Sequence, residues 1–191
     1  MRAMGAVDWV LDEEGWLKAA RRVPSPNCDA RPADEAPSLI VIHAISLPPD
    51  EFGGPGVEQL FTNRLDPTAH SYYAGIHTLR VSAHFFIRRD GEIVQFVPVG
   101  ARAWHAGVSN WQGRERCNDF SIGIELEGCD SLPFEAGQYP RLAMLIDCLK
   151  AHYPVAAVAG HSDIAPGRKT DPGPHFDWAL LQRLLDEKSA D

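Results

Sequence analysis

Three residues far apart in the chain have the side-chain types that a catalytic zinc site would need. His43 ends an apolar run, His161 follows another, and Asp171 lies ten residues further on, directly before Pro172. Two imidazoles and one carboxylate bind zinc and leave a fourth coordination position for water. Each residue also has a simpler explanation, because His43 is typical of a buried core histidine and Asp171 of a turn former before proline. Ligands scattered in this way form a weak motif, so spacing leaves both interpretations open.

Glu125 and Lys169 have the side chains that hydrolysis at such a site would use. Residues 121–127 read Ser-Ile-Gly-Ile-Glu-Leu-Glu, and strand alternation places Glu125 and Glu127 on the same face. A carboxylate in a mostly apolar strand is costly unless it is paired or functional, so Glu125 is a candidate general base. An edge strand with a solvated face would explain it equally well. Lys169 could stabilise an oxyanion, although a single lysine is more often a surface residue.

Candidate substrate contacts come from the middle of the chain. Trp104 could stack on a sugar ring or a peptide plane, and it is also typical of a core anchor. His105 follows it directly and, together with His84, is a rival candidate for the metal. Arg80 and Arg116 could bind a substrate carboxylate through paired hydrogen bonds, or they could form ordinary surface ion pairs.

The hydrophobic pattern predicts strands and helices that alternate along the chain. The predicted strands cover residues 39–43, 81–88, 92–97, 120–126 and 155–160, and the predicted helices cover residues 12–21, 57–64, 135–153 and 176–188. An Asp-Gly step at residues 90–91 predicts a hairpin between the second and third strands. Strands interspersed with helices indicate an α/β (α+β) fold built on a mixed sheet.

Composition indicates one ordinary globular domain rather than a disordered or membrane chain. The 191 residues are 45% hydrophobic and 23% charged. Eighteen basic and 26 acidic residues give a net charge of −8, which argues against nucleic acid or an anionic membrane as the main partner. The four cysteines form no CxxC pair, and acidic residues interrupt the N-terminal segment where a secretion signal would lie. These features predict a cytoplasmic protein with reduced thiols.

Five segments with unusual loop sequences follow one another in this order: GWLKAARRVPSPNCDARP, PSLIVIHAISLPPDEFGGPGVEQLF, HTLRVSAHFFIRRDGEIVQFVP, RAWHAGVSNWQGRERCNDFSIGIELEG and GHSDIAPGRKTDPGPHFDW. Together they cover nearly all of the chain from about Glu14 to about Leu181. In this combination they resemble the AmpD family, the cytosolic zinc amidases that act on N-acetyl-anhydromuramyl-L-alanine in peptidoglycan recycling.

The resemblance implies the fold shared with peptidoglycan-recognition proteins, a central mixed β-sheet flanked by helices. It assigns five residues to one zinc ion or to catalysis: the ligands His43, His161 and Asp171, and the catalytic residues Glu125 and Lys169. It makes His84 secondary and places His105 at the cleft wall. We therefore predict a single zinc amidase domain over residues 1–191, with a variable N-terminal extension over residues 1–13.

The implied reaction is hydrolysis of the amide between the lactyl group of 1,6-anhydro-N-acetylmuramic acid and L-alanine. We expect a monomer that acts on a small muropeptide, with neither nucleic acid nor membrane as a partner. Two alternatives are a non-catalytic module that binds peptidoglycan fragments and a lysin that acts on intact peptidoglycan. The complete zinc set argues against the first, and the acidic charge argues against the second. Family members often have Asn where this chain has Ala44, so one polar contact to substrate is expected to be missing.

Overall fold

Residues 8–188 are described by a computed structural model, and a mixed sheet lies at their centre. In chain order, the strands are β1 (Arg21–Arg22), β2 (Cys28–Ala30), β3 (Leu39–Ile45), β4 (Phe85–Ile87), β5 (Ile93–Gln95), β6 (Ala101–Ala103), β7 (Asn110–Trp111), β8 (Arg114–Glu115), β9 (Ser121–Glu127) and β10 (Ala157–Gly160). Six of them form the sheet in the order β1-β5-β4-β9-β3-β10. The neighbours β4 and β5 are antiparallel to each other, and every other pair of neighbours in this sheet is parallel. The pairs β2–β6 and β7–β8 form two small antiparallel sheets.

Helices pack on both faces of the sheet. The α-helices are α1 (Gly56–Phe61), α2 (Gln138–His152), α3 (His161–Ile164) and α4 (Trp178–Lys188), and 3₁₀ turns occupy Ser71–Gly75 and Cys117–Asp119. The predicted fold class is therefore confirmed, since helices flank a mixed sheet. The predicted hairpin is confirmed as well, because β4 and β5 pair across residues 88–92.

The two faces of the sheet are divided between the main core and the cavity side. In β3 and β9, Ile40, Ile42, Ile122 and Ile124 belong to the core cluster that contains the apolar residues of α2. Side chains alternate along a strand, so the intervening residues face the opposite side. His43 therefore shares its face with Glu125 and Glu127 of β9.

β9 lies between β3 and β4, and this position corrects one interpretation of its glutamates. Glu125 is 8% exposed and Glu127 is 4% exposed, with hydrogen-bonded strands on both sides. The alternative of an edge strand with a solvated face is therefore wrong. Both carboxylates are buried and need a partner or a function.

The N-terminal segment contains a turn where a helix was predicted over residues 12–21. Asp12 Oδ1 accepts hydrogen bonds from the backbone N–H groups of Glu14 and Trp16, and Leu11 pairs with Leu17 in an antiparallel bridge. Gly15 has φ of +92°, in the left-handed region that an interior helical residue does not adopt. The aspartate and glycine thus favour a tight turn over the amphipathic pattern. Residues 1–7 of the predicted extension lie outside the described residues.

Two predicted features of the whole chain can be compared with residues 8–188. No helix in this part of the chain is long and apolar enough to cross a lipid bilayer. All four cysteines lie within it and carry free thiols.

Candidate zinc and catalytic site

The sheet brings His43 and Glu125 together through strand register. β3 and β9 run parallel with His43 beside Glu125, so both side chains project from the same face. His43 is 1% exposed, because the apolar residues that precede it in β3 are buried in the sheet. The carboxyl end of a parallel strand is a rigid platform for a functional side chain.

His161 and Asp171 reach the same point from the end of β10 and the loop after α3. β10 pairs with β3 and ends at Gly160, directly before His161. The backbone N–H of Ser162 donates to the carbonyl of Asp171 at 2.9 Å, which holds the loop against α3. The hydroxyl of Thr170 donates to the carboxylate of Asp130, which follows β9. These hydrogen bonds therefore hold the loop so that Asp171 lies close to His161 in space.

Three donor atoms converge at this point. His43 Nδ1 and His161 Nδ1 are 2.9 Å apart, and Asp171 Oδ2 lies 3.2 Å from the first and 3.1 Å from the second. Zinc–ligand distances of about 2.1 Å in a tetrahedron place neighbouring ligand atoms ~3.4 Å apart. The His-His-Asp set and its spacing fit one zinc ion with an open fourth position.

The tautomer of His161 supports the same interpretation. His161 Nε2 lies 3.1 Å from the carbonyl oxygen of Ala106, and a carbonyl can only accept. A neutral His161 therefore carries its proton on Nε2 and presents the lone pair of Nδ1 to the cluster. This is the arrangement that metal-binding histidines adopt.

Burial and neighbouring side chains set the protonation states of His43 and Asp171. Burial lowers the pKa of His43 to about 4, with the hydrogen bond to Asp171 opposing the shift. Burial alone would raise the pKa of Asp171, but the contacts of its carboxylate with the imidazoles of His161 and His43 outweigh burial and hold that pKa well below its usual range. A neutral imidazole at His43 beside an ionised carboxylate at Asp171 is the combination of forms that binds zinc.

Glu125 is a buried carboxyl with an unsatisfied oxygen. Its Oε2 has no hydrogen-bond partner among the described residues. Burial, reinforced by the charge of Asp171, raises the pKa of Glu125 well above its ordinary value. Glu127, on the same face, is in contrast fully engaged, since its carboxylate accepts from the backbone N–H groups of Gly53 at 2.6 Å and Arg89 at 3.0 Å. The two glutamates of β9 therefore differ, and Glu125 is the one available for chemistry.

A cavity of about 380 Å³ contains the converging donors together with Glu125 and Lys169. Besides these polar residues, the cavity has an apolar wall, which was not predicted as part of the site. The residues of this wall include Leu47, Leu60, Phe61, Tyr72, Ile76 and Leu79. They come from α1 and the loops around it. In the sequence, the only sign of this wall is that apolar side chains lie in loop segments without an evident role in the core.

The predicted substrate-binding residues divide into two groups. Trp104 and His105 line the cavity, and Trp104 Nε1 donates to Asp29 at 3.1 Å. Arg80 and Arg116 do not line it. Arg80 is exposed and donates to the carbonyl groups of the two residues that precede it, and the exposed Arg116 lies 3.4 Å from Asp119.

His84 is not brought to the donor cluster. Its Nδ1 accepts from the backbone N–H of Gly123 at 3.0 Å, and its Nε2 lies 3.0 Å from the carbonyl oxygen of Ala101. Both ring nitrogens are thus occupied by backbone groups, and His84 is a buried structural histidine.

The fold and the site place the chain in a known class of enzyme. The family model of N-acetylmuramoyl-L-alanine amidases matches residues 33–174, and the chain belongs to this family. The matched range includes all three converging donors as well as Glu125 and Lys169.

Individual relatives narrow the class further. The chain is 62% identical over 182 residues to the 1,6-anhydro-N-acetylmuramyl-L-alanine amidase AmpD of Citrobacter freundii, which covers 94% of this chain and 97% of that protein. A crystal structure of a selenomethionine AmpD derivative superposes with a TM-score of 0.90 at 63% identity, over 92% of this chain and 99% of the other. Within the amidase family the chain is therefore an AmpD-type enzyme.

A more distant structure contains a bound substrate. The N-acetylmuramyl-L-alanine amidase AmiD from E. coli, in complex with anhydro-N-acetylmuramic acid-L-Ala-D-gamma-Glu-L-Lys, has a TM-score of 0.58 at 29% identity. The match covers 92% of this chain and 65% of AmiD.

Proposed function

We propose that this amidase uses one zinc ion to hydrolyse the amide between the lactyl group of 1,6-anhydro-N-acetylmuramic acid and L-alanine. The observation that carries the proposal is the convergence of His43, His161 and Asp171 beside the unpartnered carboxyl of Glu125. The substrate assignment rests on the AmpD relatives, which span nearly the whole chain. Peptidoglycan recycling in the cytoplasm is the role that this substrate would serve.

The residues of the cavity divide the work of amide hydrolysis. Zinc bound by the two histidines and Asp171 would act as a Lewis acid and lower the pKa of water at the open position. Glu125 takes a proton from the attacking water and passes it to the leaving amine, since it is the unpaired carboxyl in the cavity. The ammonium group of Lys169, which lines the same cavity, stabilises the oxyanion of the tetrahedral intermediate.

Binding of the sugar and peptide follows from the cavity walls. Trp104 offers an aromatic face at the cavity, and the apolar side chains of the cavity lining exclude water from the reacting amide. Arg80 flanks this wall in the chain, so it stays a candidate for a carboxylate on the peptide as it leaves the cavity. Arg116 stays a prediction without a contact to the cavity. Ala44 lines the cavity, where a longer polar residue would reach the substrate.

The decisive experiment is mass spectrometry of anhydromuramyl-tripeptide incubated with protein that carries one zinc per chain. We expect free tripeptide and anhydro-sugar, and no products after chelation of the metal. Unchanged substrate that still binds would instead indicate a peptidoglycan-fragment binding module. Parallel reactions with intact sacculi test the lysin alternative, because faster turnover on sacculi would contradict a recycling role. Gel filtration with light scattering tests the proposed monomer.

A further inference from the structure

The ring nitrogens that face away from the donor cluster both contact one dipeptide. His43 Nε2 lies 2.8 Å from His105 Nδ1, and His161 Nε2 lies 3.1 Å from the carbonyl oxygen of Ala106. His105 and Ala106 are consecutive, so a single short segment receives both outer hydrogen bonds. The tautomer and the ring orientation of a metal-binding histidine are set by this outer partner.

The hydrogen bonds of the His105 ring determine which nitrogen of His43 and of His105 donates. When the lone pair of His43 Nδ1 faces the cluster, His43 Nε2 carries the proton and donates to His105 Nδ1. His105 then carries its own proton on Nε2, which lies 3.1 Å from Ser121 Oγ. Every ring nitrogen in this series has one role, and all the imidazoles are neutral.

Asn118 holds the dipeptide in place. Its Oδ1 accepts from the backbone N–H of His105 at 3.1 Å and from that of Ala106 at 2.8 Å. The carbonyl of Ala106 is held from a second direction by the guanidinium of Arg168 at 2.6 Å. Asn118 itself lies in the 3₁₀ turn directly before β9, and its carbonyl accepts from Arg31.

We infer that Asn118 is a positioning residue for the metal site, because one amide oxygen fixes the segment that orients both zinc histidines. His105 is then an orienting partner of His43 in addition to its place in the cavity wall. This inference rests on the proposed zinc function, and it predicts an effect on metal affinity that does not depend on turnover.

The test compares two substitutions at one position. Asn118→Leu is nearly isosteric and removes the acceptor, whereas Asn118→Asp keeps an oxygen that both N–H groups can reach. Zinc affinity is measured by competition with a chromophoric chelator. Loss of outer-sphere partners typically weakens metal binding 10- to 100-fold. We expect at least a tenfold weaker affinity for Asn118→Leu and a change of less than about threefold for Asn118→Asp.

Gln95 provides a matched control. It is a buried amide that also clamps a distant segment, accepting from the N–H of Leu17 at 2.7 Å and donating to the carbonyl of Gly15 at 2.8 Å. Gln95→Leu should lower the melting temperature without changing zinc affinity, because neither segment borders the cavity. Equal weakening in Gln95→Leu and Asn118→Leu would mean that lost stability explains the effect, and it would overturn the inference.

A second measurement needs no variant and remains available if Asn118→Leu does not fold. Long-range ¹H–¹⁵N spectra of the zinc-loaded protein report which imidazole nitrogens carry protons. We expect protons on Nε2 of His43 and His161, and detection of either ring with the opposite tautomer would overturn the inference. Wild-type protein that binds no zinc would instead refute the proposed metal site, so the two failures are distinguishable.

Discussion

Glu125 is the residue on which the proposed chemistry depends most directly. Substitution by glutamine keeps its size but removes the proton acceptor, and general base catalysis contributes about 10²- to 10⁴-fold to such reactions. We expect Glu125→Gln to lower kcat by at least about 100-fold while zinc content stays at one per chain. Steady-state kinetics with metal analysis checks this. Near-normal turnover of the zinc-loaded variant would refute the assigned role.

Glu127→Gln is the comparison variant, since it changes the other buried carboxyl of β9. Glu127 joins the backbone of Gly53 and Arg89 to the strand and does not line the cavity. We expect this substitution to lower the melting temperature more than Glu125→Gln does, because hydrogen bonds to a buried carboxylate are lost. Thermal unfolding of the two variants, measured side by side, separates the structural role of Glu127 from the catalytic role proposed for Glu125.

The role proposed for Lys169 is electrostatic, since its positive charge would stabilise the oxyanion. Stabilisation of an oxyanion by one preorganised donor is worth about 10²- to 10³-fold in kcat. We expect Lys169→Met to lose activity in this range with a small change in KM, and Lys169→Arg to recover part of it. Equal kcat values for the methionine and arginine variants would contradict an electrostatic role.

At the scale of elements, β9 passes directly beneath His105, and Gly123 makes this approach possible. A methyl group at Gly123 would lie 2.5 Å from His105 Cγ, far inside contact distance. We expect Gly123→Ala to displace the imidazole, to cost about 1–3 kcal/mol of stability and to weaken zinc binding. Chelator competition and chemical unfolding measure both effects. Gly137→Ala is the control, because an added methyl there has no neighbour within 4 Å and should change neither quantity.

Local pattern explains why the longer strands and helices were predictable from the sequence. β3, β9 and α2 have strong apolar patterns, and the Asp-Gly step fixed the hairpin of β4 and β5. The helix predicted over residues 12–21 was wrong, because the hydrogen bonds of Asp12 to the backbone outweighed an amphipathic pattern. Strand order was not predictable, since it depends on pairings between residues far apart in the chain. For the same reason, spacing alone could not decide between core and metal roles for His43.

The whole molecule separates a core side from a site side across one sheet. The cluster beneath α2 and α4 fixes β3 and β9, whose opposite faces then carry His43 and Glu125 in register. The family resemblance predicted a role for these residues because it joins segments that the fold brings together. It could not reveal the contacts of Asn118 with Ala106 and of Ala106 with His161, since backbone groups and their acceptors leave no sequence pattern of their own.

Buried neutral histidine also makes the stability of the whole fold sensitive to mild acid. Burial, reinforced by the charge of Arg31, lowers the pKa of His84 to about 3, whereas in the unfolded chain it titrates near 6.5. Between these values the unfolded state binds one more proton, so stability falls as pH falls, by about 1.4 kcal/mol per pH unit.

We expect the free energy of unfolding of His84→Gln to depend on pH less steeply than that of the wild type, by about this amount. Urea unfolding at several values between pH 6 and pH 4 measures the two slopes. Any loss of zinc in acid affects both proteins, so the difference between the slopes reports His84 alone. Parallel slopes would mean that His84 is protonated in the folded protein, with its two backbone hydrogen bonds rearranged.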